Sequence, residues 1–209
     1  MLGTYNLALF ILTGILLNIT PGQDTLYIVG RSISQGRRAG VLSVFGISSG
    51  GLIHTLAAAF GLSAILATSA SAFLVVKFAG AAYLVYLGVR MLFDRSAPIG
   101  SQADGFVPQS SWVIYRQGIL TNVLNPKVAL FFMAFLPQFV DPLGSAKVIA
   151  FLFLGALFIF TGTIWCLIVA WFAATVSRGL REKASAGIII KRATGALFIG
   201  LGFKLAVSK

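Results

Sequence analysis

The sequence predicts an all-α, polytopic membrane protein, with six transmembrane helices arranged as two inverted three-helix repeats. Three observations carry this prediction. Of 209 residues, 58% are hydrophobic and only 10% charged, more apolar side chain than a soluble fold of this length has interior to hide. The apolar residues fall into six blocks, each close to the ~20 residues that cross roughly 30 Å of hydrocarbon. The basic residues collect between blocks, on alternate sides of the chain.

The blocks run over residues 5–29, 40–66, 72–93, 118–140, 148–176 and 188–207. The first 23 residues carry no charge, so they lack the basic region of a signal peptide and read as a retained helix. Arg31, Arg37 and Arg38 follow the first block. Arg90, Arg95 and Arg116 follow the third, and Arg178, Arg181, Lys183, Lys191 and Arg192 follow the fifth. The opposite side offers Lys147 and Lys209, with Lys77 and Lys204 placed where they snorkel from helix ends. The positive-inside rule therefore puts the arginine-rich loops in the cytoplasm and both termini outside, in the periplasm.

The same distribution accounts for the net charge of +11 without nucleic acid, because no basic face lies outside the apolar blocks. Residues 94–117, with Pro98, Gly100, Asp104, Gly105 and Pro108, read as a cytoplasmic linker. It divides the chain into a first repeat over 1–93 and a second over 118–209. Three helices per half force the halves to insert with opposite orientation. Gly14, Asn18 and Pro21 of the first block align, with one inserted residue, with Gly118, Asn122 and Pro126 of the fourth.

The candidate site lies at these prolines. Proline removes a backbone hydrogen bond from a helix. In hydrocarbon the freed carbonyl must find a partner or line a wet cavity. Polar residues crowd both breaks: Asn18, Thr20, Pro21, Gly22, Gln23 and Asp24 at one, Asn122, Asn125, Pro126 and Lys127 at the other. Matched broken helices are the sequence pointer to a transporter binding site; simple proline kinks are the alternative. Asp24 and Lys127 supply one charge of each sign, which either pair with each other, meet the ends of a zwitterionic solute, or lie near the interface. The asparagines and Thr20 either bind solute or tie up backbone groups. His54, the one histidine, either relays protons or bonds a neighbouring helix. Gly46, Gly50, Gly51 and Gly61 in the second block, with Gly80 and Gly88 in the third, predict close helix packing. Phe131, Phe132, Phe135 and Phe139 are packing or lipid-facing residues, and Trp112, Tyr115 and Trp171 suit the interfacial belts. Cys166 reads as a small buried side chain.

Over its whole length the chain resembles the lysine exporter family of the LysE/RhtB type. The resemblance rests on three patches: residues 18–26 (Asn-Ile-Thr-Pro-Gly-Gln-Asp-Thr-Leu), Gly36-Arg37-Arg38-Ala39-Gly40 leading to Gly46, Gly50 and Gly51, and residues 125–132 followed by Pro137-Gln138-Phe139. The family pattern has Thr-Pro-Gly-Pro where this chain has Gln23 in the last place. The resemblance implies an exporter of amino acids or related small solutes in the bacterial inner membrane, driven by the proton gradient or membrane potential. No Walker A pattern argues for ATP. It names no particular amino acid and leaves the oligomeric state, a homodimer included, undecided.

Other function classes fit less well. An enzyme would need a nucleophile, a base or a metal set, and one histidine, one cysteine and five acidic residues supply none in an obvious array. A lone cysteine excludes an intramolecular disulfide or a dithiol pair. No metal or cofactor is expected. A passive channel or metal-ion exporter is the alternative reading, weakened because Asp24 is the single intramembrane acid and stands against Lys127. The expected partners are a small amino-acid-like solute and membrane lipid.

Overall fold

The computed structural model describes residues 3–64, 108–141 and 144–175, with isolated positions within 74–93 and 196–207. Most of the third and sixth blocks, the linker before Pro108 and the basic segment beyond Thr175 lie outside the described residues. So do Gly80 and Gly88. The described residues form α1 (Leu7–Ile19), α2 (Gln23–Ala57), α3 (Ser111–Val123), α4 (Pro126–Leu130) and α5 (Lys147–Thr175). A π turn over Ala58–Leu62 extends α2. A π turn over Phe131–Phe135 and a 3-10 turn over Leu136–Phe139 extend α4. The scattered positions within 74–93 and 196–207 are helical.

By length and composition, Gln23–Leu62 and Lys147–Thr175 are long and apolar enough to cross a membrane. Ser111–Val123 with Pro126–Phe139 makes a third such segment, bent by 47°. That helix begins at Ser111 rather than at Gly118, where apolarity alone placed it.

The 40-residue stretch Gln23–Leu62 is not one rod. Straight, it would measure about 60 Å, twice the hydrocarbon thickness. Gly36 breaks it with φ 80 and ψ −177. A Cβ added to Gly40 would run into the Ser32 side chain, although a straight helix sets such residues ~12 Å apart. The chain therefore reverses at Gly36, and α2 consists of a first leg, residues 23–35, and a second leg, residues 37–57. The loop expected between the first two blocks shrinks to a single glycine, because only glycine enters this backbone region without strain. Arg31 accordingly lies inside a helix and is buried.

The two broken helices run antiparallel. At one end of the molecule, Tyr5 N donates to the Phe139 carbonyl at 2.9 Å and Asp141 N to the Gly3 carbonyl at 2.9 Å. Thr4 and Val140 form an isolated antiparallel bridge there. At the other end, Gln35 Nε2 donates to the Gln109 carbonyl at 2.8 Å, and Gln109 N donates to Gln35 Oε1 at 3.0 Å. The first broken helix, α1 plus the first leg, thus runs from the Tyr5 end to the Gln109 end. The second, α3 plus α4, runs back.

Two apolar clusters fill the interior. The first is rich in phenylalanine, with Phe10, Phe131, Phe132, Phe135, Phe139 and Phe158 buried together. Phe131 stacks on Phe158 with ring centroids 4.5 Å apart. The phenylalanines of the fourth block are therefore packing residues. The second cluster joins Tyr27, Ile28, Val44, Ile47, Ile114 and Ala170 toward the Gln109 end. Between the clusters the second leg of α2 meets α3 almost backbone to backbone. A Cβ on Gly118 would stand 2.9 Å from the Ser43 carbonyl, and one on Gly46 would run into the Tyr115 carbonyl. A Cβ on Gly50 would stand 2.7 Å from that of Asn122. Gly61 differs, with nothing within 4 Å, so it serves no close approach among the described residues.

Candidate functional site

Each proline break leaves one particular carbonyl without its helical partner. In an α-helix a carbonyl accepts from the N–H four residues on. Pro21 has no N–H for the Leu17 carbonyl, and Pro126 has none for the Asn122 carbonyl. Side chains from distant parts of the chain fill both places. Lys127 Nζ donates to the Leu17 carbonyl at 3.2 Å and to the Thr20 carbonyl at 2.9 Å. His54 Nε2 lies 3.1 Å from the Asn122 carbonyl, which also accepts from Asn125 N at 3.0 Å. Since a carbonyl only accepts, Nε2 carries the proton in this arrangement. His54 also stacks on Phe132 at 5.6 Å. His54 thus makes the helix-to-helix bond that was one of its two sequence readings.

The breaks brace each other. Lys127, in the first turn of α4, places its ammonium at the C-terminal end of α1, where the helix dipole favours a cation. Gly22 makes room, since a Cβ there would stand 3.2 Å from Lys127 Nζ. Conversely Asn122, near the end of α3, donates from Nδ2 to Asp24 Oδ2 at 2.8 Å. Asp24 sits in the first turn of α2, where the helix dipole favours an anion. The two charges do not bond each other; each is held by the opposite broken helix.

Local capping sets these positions. Asn125 caps α4, its Oδ1 accepting from Lys127 N at 3.0 Å, with Pro126 in the first turn. The fixed φ of Pro126 starts the new helix one residue before Lys127. Thr20 is fully buried and returns its hydroxyl to the Leu16 carbonyl at 2.6 Å, closing the end of α1.

A cavity of about 50 Å³ opens where the breaks meet. Asn18, Asp24, Thr25, Ser48, Asn122, Lys127 and Thr163 form its polar wall. Leu17, Ile47, Val128, Phe158, Ile159 and Cys166 form the apolar wall, with Gly51 and Gly162 between. On the usual allowance of ~10–15 Å³ per water, it holds a few waters. Two buried acceptors on its wall lack a partner among the described residues, Asp24 Oδ1 and Asn122 Oδ1. Lys127 spends two of its three N–H donors on α1 and keeps one among the described residues. The same cavity wall therefore presents both acceptors and a cationic donor.

Of the residues singled out from sequence, Asn18, Asp24, Asn122 and Lys127 line this cavity. Thr20, Pro21, Gly22, Asn125, Pro126 and His54 are not among its lining residues. Gln23 departs: it is exposed and borders an open groove with Leu26, Tyr27, Gln117, Leu120, Thr121 and Leu124. Asn18 donates from Nδ2 to the Phe158 carbonyl and Thr161 Oγ1, both at 3.4 Å, against Gly162. Sequence reasoning missed the contribution of α5. Thr161-Gly162-Thr163 is a small polar interruption in an otherwise apolar helix, and that interruption was its available signal. Ser48 and Thr163 share a hydrogen bond of 2.8 Å across the cavity. Cys166, read as simply buried, is partly exposed on the cavity wall.

The sequence pattern of the LysE type translocators matches residues 15–209. The chain is 31% identical over 202 residues to an uncharacterized membrane protein of Vibrio cholerae, covering 96% of each chain. It is 28% identical to the uncharacterized membrane protein YrhP of Bacillus subtilis, over 98% of this chain and 100% of that one. It is 27% identical to a leucine efflux protein of Enterobacter sp. (strain 638), over 98% of this chain and 96% of that one. No solved structure matches. A polytopic apolar chain with two proline-broken helices, similar end to end to these membrane proteins, belongs to the LysE type translocator family.

Proposed function

We propose that this protein exports amino acids from the bacterial cytoplasm across the inner membrane, and that the cavity between the broken helices is the solute site. The observation that carries the reading is the trio of open valences there: Asp24 Oδ1, Asn122 Oδ1 and the third donor of Lys127. An α-ammonium satisfies the two acceptors and an α-carboxylate takes the lysine donor. The leucine efflux relatives support an amino-acid solute. At about 50 Å³ the cavity accommodates the zwitterionic portion, and a larger side chain requires the walls to part.

The mechanism we propose is alternating access between two inverted three-helix repeats, with both termini periplasmic. Three features support it. α1 and α3 are each 13 residues long. Both end at a proline break followed by a charged residue, and the broken helices run antiparallel. Because each charge is braced by the opposite break, solute bound at both charges loads both halves at once. Drive from the proton gradient or membrane potential completes the proposal. The test is efflux from preloaded cells against a panel of labelled amino acids, with Asp24→Asn and Lys127→Ala at matched membrane levels. Loss of one solute class in both variants supports the site. Export undiminished in both variants refutes it.

A further inference from the structure

A polar latch that the solute site itself does not use ties the first leg of α2 to α3. Tyr27 Oη donates to the Ile114 carbonyl at 2.7 Å and lies 3.4 Å from Gln117 Oε1. Arg31 Nη2 donates to the same Gln117 Oε1 at 2.7 Å, and Arg31 Nη1 donates to Gln35 Oε1 at 2.9 Å. Gln35 then clamps the Gln109 backbone through two bonds of 2.8 and 3.0 Å. Every bond except Arg31–Gln35 crosses from the first leg of α2 to α3 or to the residues leading into it. Arg31 is only 4% exposed, and its guanidinium lies 5.7 Å over the Tyr27 ring.

The latch sits on the line between the cavity and the basic end of the molecule. Ile47 and Cys166 reach from the cavity wall into the cluster of Tyr27, Ile114 and Ala170. Just past the Gly36 reversal, Arg37 stacks on Trp171 at 4.1 Å. The opposite end is packed by apolar side chains, Phe10, Phe135 and Phe139 among them, and joined by the backbone bridge of Thr4 to Val140. At the Gln109 end the polar bonds run through side chains, whereas at the Tyr5 end they join backbone to backbone. Side-chain bonds can be removed by substitution, and those from a guanidinium are charge-assisted and stronger than neutral ones.

We infer that Arg31 is a positioning residue for transport: acting through Gln117 and Gln35, it holds the first leg of α2 against α3 and so closes the solute cavity to the cytoplasmic side. This rests on the solute-site reading for its purpose, but the closure is measurable without any transport. Cys166 is the chain's sole cysteine and lines the cavity. Its reaction with a membrane-impermeant thiol reagent, in oriented vesicles, reports which side has access, and Cys166→Ser provides the zero.

Arg31→Ala and Gln117→Ala should raise the rate of Cys166 labelling from the Arg37 face on the order of tenfold, the effect of removing one charge-assisted bond from a closed–open balance. Labelling from the opposite face should not rise. Gln117→Glu, which gives the guanidinium a carboxylate, should lower labelling from the Arg37 face; this variant keeps the latch and guards against misfolding of the others. Unchanged labelling in all three variants, or an equal rise from both faces, overturns the inference. Should labelling respond as expected while no amino acid is exported, the latch stands and the solute assignment falls.

Discussion

Lys127 Nζ lies 3.2 Å from the carbonyl of Leu17, the group that Pro21 leaves without a helical partner. A lysine more than a hundred residues away in sequence thus completes the backbone of α1, and it does so while facing a cavity. Removing the ammonium has two separable effects. Lys127→Met should strand the Leu17 and Thr20 carbonyls at about 1–3 kcal/mol for a buried group left unsatisfied, and should abolish export. Thermal unfolding in detergent measures the first effect and efflux the second. A variant as stable as the parent would show that the carbonyls find other partners.

Asp24 and Asn122 should behave as an exchangeable pair. Asn122→Asp alone sets a second carboxylate where the amide now donates at 2.8 Å, so two like charges share one site. The double exchange, Asp24→Asn with Asn122→Asp, restores one donor and one carboxylate. Melting temperature should fall in the single variant and largely recover in the double. Additive losses would mean that the two side chains do not act as a unit.

His54 should tolerate replacement that keeps a donor. His54→Gln retains an N–H for the Asn122 carbonyl and should preserve export with an unshifted pH profile. His54→Leu removes the donor and should lose roughly 1 kcal/mol of stability. A His54→Gln variant that inserts normally but loses the pH dependence of export would instead make His54 a proton carrier.

Glycine substitutions should divide sharply by position. Gly46→Ala and Gly118→Ala push α2 and α3 apart at backbone atoms that cannot swing away, at about 1–3 kcal/mol each. Gly36→Ala meets no atom within 4 Å, yet its φ of 80 makes the cost purely conformational, of order 1–3 kcal/mol. Gly61→Ala meets neither problem and should be neutral or slightly stabilising. Equal losses at Gly61 and Gly46 in a thermal-shift series would contradict this packing.

The sequence was most readable where a backbone rule forces the outcome. Pro21 and Pro126 must break their helices, so the two breaks and their polar residues were visible at once. Gly46 and Gly50 announced a close helix contact in the same way. What stayed hidden depends on long-range placement. Nothing local says that Lys127 answers Pro21, or that His54 answers Pro126, because each pairing is set by how α4 and the second leg of α2 dock. Gly36 was hidden for a different reason: one glycine reverses the chain where basic residues suggested a longer loop. Thr161 and Thr163 were hidden because a phenylalanine-rich helix masks two hydroxyls until its rotation against Asn18 and Ser48 is known.

The bridge of Thr4 to Val140, with its flanking bonds from Tyr5 to Phe139 and Asp141 to Gly3, fixes the start of one broken helix to the finish of the other. On the alternating-access proposal, the two helices turn about that clasp, as a lever turns about its fulcrum. Travel then grows with distance from the clasp and is greatest at the far end, where Gln35 meets Gln109. On that proposal Gly3, Thr4 and Tyr5 form the pivot, and a substitution among them loads its bearing.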